Sequence, residues 1–385
     1  MSQRYFAQIS PGLEALLRAE LKELGARKLK IDEGGVHFEG TRKHLYRVLL
    51  GSRLASRVYQ TLAEGGAPQR DALFARVAKI NWDAYVPSNT APLPLAIRAS
   101  VSATQNLEGS GEVESVAYNA VERALRGRRL VQYRPWTSDE PELLRLLVRV
   151  HHGRVAVRVD AVGDLMHRRG WRVSEGEAPL RPTLAAALLR LLAWDRQEPL
   201  YDPMCGSGTI PIEAARWASA RSPRLWSRYA CSTWPTFDQA TWTREAESLI
   251  ADHATEPPQL HPHIFASDRD PSAVAMTQSH LTSAQELVQV WTQDARQLTP
   301  PTDQPGLIIF NPPYGLRVKE GDELKGLLHA FAQRRDLWAG WRLGIIYPRQ
   351  LTPPHVQGLS MTELARFQHG GLPVWVWRYH HEGLT

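Results

Sequence analysis

The spacing of apolar positions changes character once along the chain. In residues 1–62, YFAQI and VHFEG read as strands and LEALLRAELKELG as an amphipathic helix stopped by Gly25. KHLYRVLLGSRLASRVY reads as a second helix, which makes this stretch a small α/β unit. Residues 63–165 add helix RDALFARVAKI, strand PLAIRASV and helix EVESVAYNAVERALRG. In LLRLLVRVHHGRVAVRVD, His151-His152-Gly153 interrupts two alternating runs, as a hairpin turn does. LMHRRGWRVSEGEAP is rich in charge and turn residues and reads as a linker over 166–181.

From residue 182 strands and helices alternate, the pattern of a parallel sheet with crossover helices. Helix TLAAALLRLLAW leads to strand PLYDP, the glycine-rich turn CGSGT and helix IPIEAARWASA. Strand HIFASD, helix PSAVAMTQSHL and strands LVQVWTQD, LIIF and RLGIIYP follow. FQHGGLPVWVWRYHH closes the chain as an antiparallel pair about a Gly-Gly turn. Residues 216–262 are too long for a plain connection. With Trp217, Trp226, Trp234 and Trp242 beside Arg221, Arg224 and Arg228, they form either a nucleic-acid-contacting lid or a packed excursion, the latter being preferred.

At 385 residues the chain exceeds one ordinary core, so two or three domains are expected. No run of about 18 apolar residues occurs, so no spanning helix and no membrane partner are expected. The start, MSQRYFAQISPG, lacks the layout of a signal peptide. Cys205 and Cys231 have neither metal-ligand nor redox spacing, which suits a reducing cytoplasm and argues for no metal. A thiol nucleophile at either is disfavoured. Charge changes the picture: residues 1–180 hold 27 Lys and Arg against 20 Asp and Glu, and 181–385 hold 19 against 20. A polyanion held by the first half is one reading, and a solvated arginine-rich surface is the other.

The candidate chemistry gathers at strand ends. In YDPMCGSGTIPIEAA, Gly206 and Gly208 sit where a strand feeds a helix, and the helix beginning near Thr209 aims unpaired N–H groups at the crevice. A phosphate-binding loop would need Lys-Ser/Thr after its last glycine, and a dinucleotide fingerprint a third glycine; both are missing. Asp202, Asp268 and Asp294 close three successive strands, although each alone is more often a cap or turn former. Together with a small-residue loop they suit an amine, a ribose diol and an adenine amino group. That set describes S-adenosylmethionine better than a nucleoside triphosphate.

In LIIFNPPYGLRV a buried strand ends in Asn311-Pro312-Pro313-Tyr314-Gly315. The prolines end the ladder and stiffen the turn, which holds the Asn311 side-chain oxygen and a backbone carbonyl as two acceptors for an exocyclic amino group. Tyr314 supplies a flat face for stacking a base, worth roughly 1–3 kcal/mol. A strand-ending turn without a ligand is the simpler alternative.

Asp202-Pro203-x-Cys205-Gly206-Ser207-Gly208-Thr209 with Asn311-Pro312-Pro313-Tyr314-Gly315 resembles the class I S-adenosylmethionine-dependent methyltransferases that act on exocyclic amines. More narrowly, the chain resembles the THUMP-domain RNA guanine-N2 methyltransferases, which in bacteria act on 23S rRNA, with relatives that act on tRNA. The resemblance implies a Rossmann-like class I methyltransferase domain over 182–385, with a mostly parallel seven-stranded sheet and a C-terminal antiparallel hairpin. It implies a ferredoxin-like domain over 1–62 and a THUMP α/β RNA-binding domain over 63–165. It implies cofactor contacts from Asp202, Cys205, Gly206, Ser207, Gly208 and Thr209, from Asp268 with Arg269, from Asp294 with Ala295, and from Asn311 and Thr183. Asn311, Pro312, Pro313 and Tyr314 would hold the target guanine of a structured RNA. The chain ends after one catalytic domain, so a second methyltransferase module is not expected. A DNA adenine-N6 methyltransferase shares the Asn-Pro-Pro-Tyr motif, and a non-catalytic RNA-binding factor would keep only the fold.

Overall fold

Two sheets carry the architecture, and the first is built from alternation along its strands. The computed structural model describes residues 2–66, 69–87, 91–102, 107, 109–138, 140, 142–172, 180–219, 223, 229–254, 263–281, 287–312, 318–350, 354–369 and 371–382. Its first elements are β1 (Gln3–Gln8), α1 (Glu14–Glu23), β2 (Arg27–Asp32), β3 (Gly35–Gly40), α2 (Arg42–Gly51) and β4 (Arg57–Gly66). Then come α3 (Arg70–Ala78), β5 (Leu93–Ser102), α4 (Ser110–Leu125), β6 (Val131–Tyr133), β7 (Leu144–His151) and β8 (Arg154–Asp160). The eight strands form one sheet in the order β2-β3-β1-β4-β8-β7-β5-β6. Tyr5 and Ala7 of β1 and Val155, Val157 and Val159 of β8 face one core with Leu17 and Leu21 of α1 and Leu45 and Leu49 of α2. The hairpin expected at His152-Gly153 is present, with both residues at positive φ (45° and 70°), as a two-residue turn demands.

The helix expected through Tyr59 stops at Gly51, and residues from Arg57 become β4. The reason is a buried carboxylate that helical periodicity does not reveal. Glu20 of α1 accepts hydrogen bonds from Ser52 Oγ (2.5 Å), Arg53 N (2.9 Å) and Leu54 N (3.3 Å). These donors turn the chain out of the helix, and Val58, Tyr59 and Gln60 then pair with β1. β4 also pairs with β8 on both sides of a register shift between Thr61 and Ala63, so one sheet runs through the 62/63 position where two units were expected to meet.

The second sheet follows α5 (Pro182–Leu191). Its elements are β9 (Leu200–Asp202), α6 (Thr209–Ala218), α7 (Gln239–Ala254), β10 (Ile264–Asp268), α8 (Pro271–Leu281) and β11 (Val288–Thr292). β12 (Leu307–Phe310), α9 (Val318–Gln333), β13 (Arg342–Pro348), β14 (Leu359–His369) and β15 (Leu372–His381) complete it. The order is β11-β10-β9-β12-β13-β15-β14, parallel except for β15 against its two neighbours. This is the Rossmann-like sheet with a C-terminal antiparallel pair that the sequence suggested. Helix α9 was not foreseen, though β12 and β13 run parallel and such strands need a crossover. The chain steps from β9 out to β11 and returns to start again at β12, so β9 and β12 flank the topological switch point.

The described part of the 216–262 excursion packs against α2. Tyr229 Oη donates to the Leu49 carbonyl (2.7 Å), Asp238 N donates to Tyr46 Oη (3.0 Å), and Trp242 lies edge-on to Tyr46 at 5.2 Å. Trp226, Arg221, Arg224 and Arg228 lie outside the described residues. The expected linker is likewise anchored where it is described: Met166, Arg169 and Trp171 are buried.

Replacing Glu20 by Ala leaves three buried donors without their acceptor. Chemical unfolding should show a loss of about 3 kcal/mol or more, whereas an unchanged midpoint would show that the turn at Ser52 forms without it.

Candidate active site

The carboxyl ends of four adjacent parallel strands share one edge of the second sheet. Ala266 pairs with Asp202, Asp268 with Thr292, and Ile308 with Tyr201. Asp202 and Asp268 are therefore the last residues of their strands. Asp294 and Asn311 follow the ends of theirs by two positions and one. In an open parallel sheet this edge, at the switch point, is where a crevice forms.

The glycine-rich turn between β9 and α6 is held from several sides. Gly206 and Gly208 have φ of 53° and 79°, and a Cβ on Gly208 would stand 2.6 Å from Thr277 Cγ2. Gly206 differs, since nothing lies within 4 Å of its would-be Cβ. Its N–H donates to Asp268 Oδ2 (2.9 Å), and Thr277 Oγ1 donates to its carbonyl (2.7 Å). His280 Nδ1 lies 3.1 Å from the Ser207 carbonyl, and Cys205 N donates to the Ser267 carbonyl (3.0 Å). Arg172 donates to Thr209 Oγ1 (2.7 Å) at the start of α6.

Sequence reasoning missed Thr277, His280 and Arg172. The first two stand three apart on α8 and so share a face, but no pattern in the chain tells which loop that face meets.

The three aspartates occupy different electrostatic settings. Asp202 is 1% exposed, and its carboxyl is pushed well above the ordinary carboxylate range, first by burial and then by the charge of Asp268, against the pull of the Met204 N–H. Asp268 is half-buried and accepts from Gly206 N and from Asp270 N (3.0 Å). Two of the roughly four acceptor positions of a carboxylate are thus used. Asp294 caps the short turn Ala295–Gln297 and pairs with the Arg296 guanidinium, which lowers its pKa to about 2, with Arg269 contributing.

The remaining expected residues are distributed as follows. Thr183 is buried in the first turn of α5, a helix that contacts α6. Arg269 is exposed and Ala295 is buried. Asn311 is half-buried and Pro312 buried, while Pro313 and Tyr314 lie outside the described residues. Burial pushes the Cys205 and Cys231 thiols up, so neither is set up as a nucleophile. Among the described residues no helix is long and apolar enough to cross a membrane, and no group of three or more His, Cys, Asp or Glu could hold a metal ion.

Residues 169–348 match the family model of the RMKL-like methyltransferase domain, and residues 4–59 match that of the RlmL ferredoxin-like domain. Among solved structures, SMU.472 complexed with SAH is similar over 100% of this chain and 99% of its own, with 21% identity and a TM-score of 0.81. A "predicted N6-adenine-specific DNA methylase" from Listeria monocytogenes covers 98% of this chain and 96% of its own, at 23% identity and a TM-score of 0.81. TrmN from Thermus thermophilus covers 99% and 100%, at 23% identity and a TM-score of 0.70. These likenesses are of fold and extend from end to end. Residues 169–348 thus match a methyltransferase-domain model, and the sheet that they build has the Rossmann-like order.

Asp202 carries a pH prediction. Its folded pKa lies above its unfolded value, so ionisation opposes folding once the pH rises above the ordinary carboxylate range of about 4. Asp202→Asn should therefore melt higher than the parent at pH 7, with the gain fading as the pH falls towards about 3. A stability loss of equal size at every pH would contradict the burial argument.

Proposed function

We propose that the chain transfers a methyl group from S-adenosylmethionine to the exocyclic N2 of a guanine in a structured RNA, namely 23S rRNA, with tRNA as the alternative. The observation that carries this reading is the single rim shared by the glycine turn, three strand-end aspartates and Asn311.

The residues present fit the cofactor. Buried Asp202 is a carboxyl whose ionised form lacks a cation, and the amine of a methionine moiety would supply one. The open side of Gly206 leaves room for close approach of a ligand. Asp268 keeps acceptor capacity for a ribose diol, whereas both oxygens of Asp294 already accept twice from Arg296, so an adenine amino group would take the place of part of that pairing. Cys205, Ser207, Gly208 and Thr209 would line the same turn, with Thr183, Arg269 and Ala295 at its margins. When bound, S-adenosylmethionine supplies a methyl group made electrophilic by its sulfonium.

The chain's own part is to position the amine. Asn311 offers a side-chain oxygen and Pro312 a carbonyl to the two N–H bonds of the amino group, which directs its lone pair into the crevice. An arylamine attacks while neutral and loses its proton afterwards, so no strong base is required beforehand. The target base must leave its stack to reach this edge, and Pro313 and Tyr314 would complete its seat.

The division into residues 1–62, a THUMP-like unit at 63–165 and a catalytic unit at 182–385 belongs to this proposal. The excess of basic residues in the first half supports an RNA partner.

Incubation with labelled S-adenosylmethionine and cellular RNA should yield N2-methylguanosine on nucleoside analysis, and finding only N6-methyladenosine would refute the base assignment. Asn311→Ala should lower turnover by about 10²–10³-fold while leaving cofactor affinity intact. Unchanged turnover would remove the amine clamp.

A further inference from the structure

The face of the first sheet turned away from its core carries a basic hollow. Strand alternation places Phe6, Arg154 and Arg158 opposite in facing to Tyr5, Ala7, Val155 and Val157, which belong to the core. A cavity of about 720 Å³ opens there, lined by Arg4, Lys28, Lys30, Arg149, Arg154 and Arg158, with Asp32, Glu39 and Glu64 as its acids. The acids are taken: Arg4 binds Glu64 (2.5 Å), Lys28 binds Glu39 (2.7 Å), and Arg149 binds Asp32 (3.3 Å) and Glu33 (3.1 Å).

Arg158 differs from these. It is 2% exposed, its guanidinium lies 4.1 Å from the centre of the Phe6 ring, and its buried Nε has no hydrogen-bond partner among the described residues. No ion pair reaches it among the described residues. A buried guanidinium left without an acceptor is costly, and the cost is removed by an anion that enters the hollow. Burial and the neighbouring Arg149 push its pKa down to about 10 against the opposite pull of Glu64 and Asp32, two acids already paired with Arg4 and Arg149.

The cations come from β1, β2, β7 and β8, and although β2 and β7 are five places apart in the sheet order, Arg149 of β7 reaches Asp32 of β2, so the sheet curls about the hollow and gathers them. Beside Arg158, Lys30 and Arg154 are exposed and have no ion-pair partner among the described residues. A single free anion needs one point of contact, whereas three cations without acids can meet successive phosphates.

We infer that this hollow holds a backbone phosphate of the RNA, with Arg158 as its central donor and the exposed Arg154 and Lys30 meeting neighbouring phosphates. The face is a second contact surface, separate from the strand-end crevice, and the inference rests on the reading that the substrate is RNA. Arginine suits the central place because its planar fork meets two phosphate oxygens at once.

The test uses the full chain and a labelled transcript of the RNA that it methylates, with binding followed by fluorescence anisotropy as KCl rises. Affinity for SAH serves as the check that each variant is folded. Arg158→Gln should weaken RNA binding about tenfold at low salt. It should also flatten the log–log salt slope by about 0.7–0.9, the loss of one phosphate contact, with SAH affinity unchanged. Arg158→Lys should keep the slope. Arg154→Gln, at an exposed position, should flatten it without any burden on folding. Equal affinity and slope in parent and both Gln variants would overturn the hollow while leaving RNA as substrate. A parent that binds no RNA would overturn both readings. Inorganic phosphate binding that depends on Arg158, with RNA binding indifferent to it, would assign the hollow to a free anion and overturn the inference.

Discussion

A carboxylate that water never reaches ties the two sheets together. Glu213 of α6 is fully buried, 3.2 Å from Arg169 and 3.7 Å from Arg53, both buried as well. Arg169 also donates to the carbonyls of Met166 (2.9 Å) and Arg53 (2.7 Å), and Arg53 donates to the Arg216 carbonyl (3.0 Å). Desolvating three charges is tolerable only when each meets a partner. The partners come from the corner before β4, from the segment that precedes α5, and from the helix that begins at the glycine turn. Orientation of the strand-end crevice relative to the first sheet is thereby bound to the same charges that hold α6 in place. Burial lowers the pKa of Arg53 to about 10, opposed chiefly by Glu213, so the cluster is held by its pairing and not by solvation.

The crevice follows the same logic with smaller groups. Its turn is braced mainly by groups from outside it. Thr277 and His280 hold its carbonyls, Asp268 one of its N–H groups, and Arg172 the first hydroxyl of α6. Atoms fixed from outside leave the inner side of Gly206 open. Beneath it, Tyr201 stacks on Trp291 at 5.5 Å and shares a hydrogen bond with Ser267 (2.9 Å), which gives the strand ends an apolar floor. The three aspartates then diverge in character by environment alone: one buried and reluctant to ionise, one shared with the loop, one neutralised by a neighbouring arginine.

Much of this was legible in the chain because it is local. Alternation marked β5, β7 and β8, strand–helix rhythm marked the second sheet, and positive-φ glycines marked the two turns that needed them. Errors fell where a distant group decides. KHLYRVLLGSRLASRVY keeps a helical appearance through Tyr59, and only the Glu20 carboxylate, from a different helix, turns it into β4. LMHRRGWRVSEGEAP reads as a linker, a reading that is silent on burial, and Arg169 within it is buried against Glu213.

Residue types and their order thus determined the strand ends, the glycine turn and the amide before the prolines, since each depends on neighbours a few positions away. Tertiary structure alone decided which helix face braces the turn, which arginines lose their water, and that the first two units share one sheet. Those outcomes depend on the free energy of pairing groups brought together from far apart in the chain, and no local pattern encodes the partner.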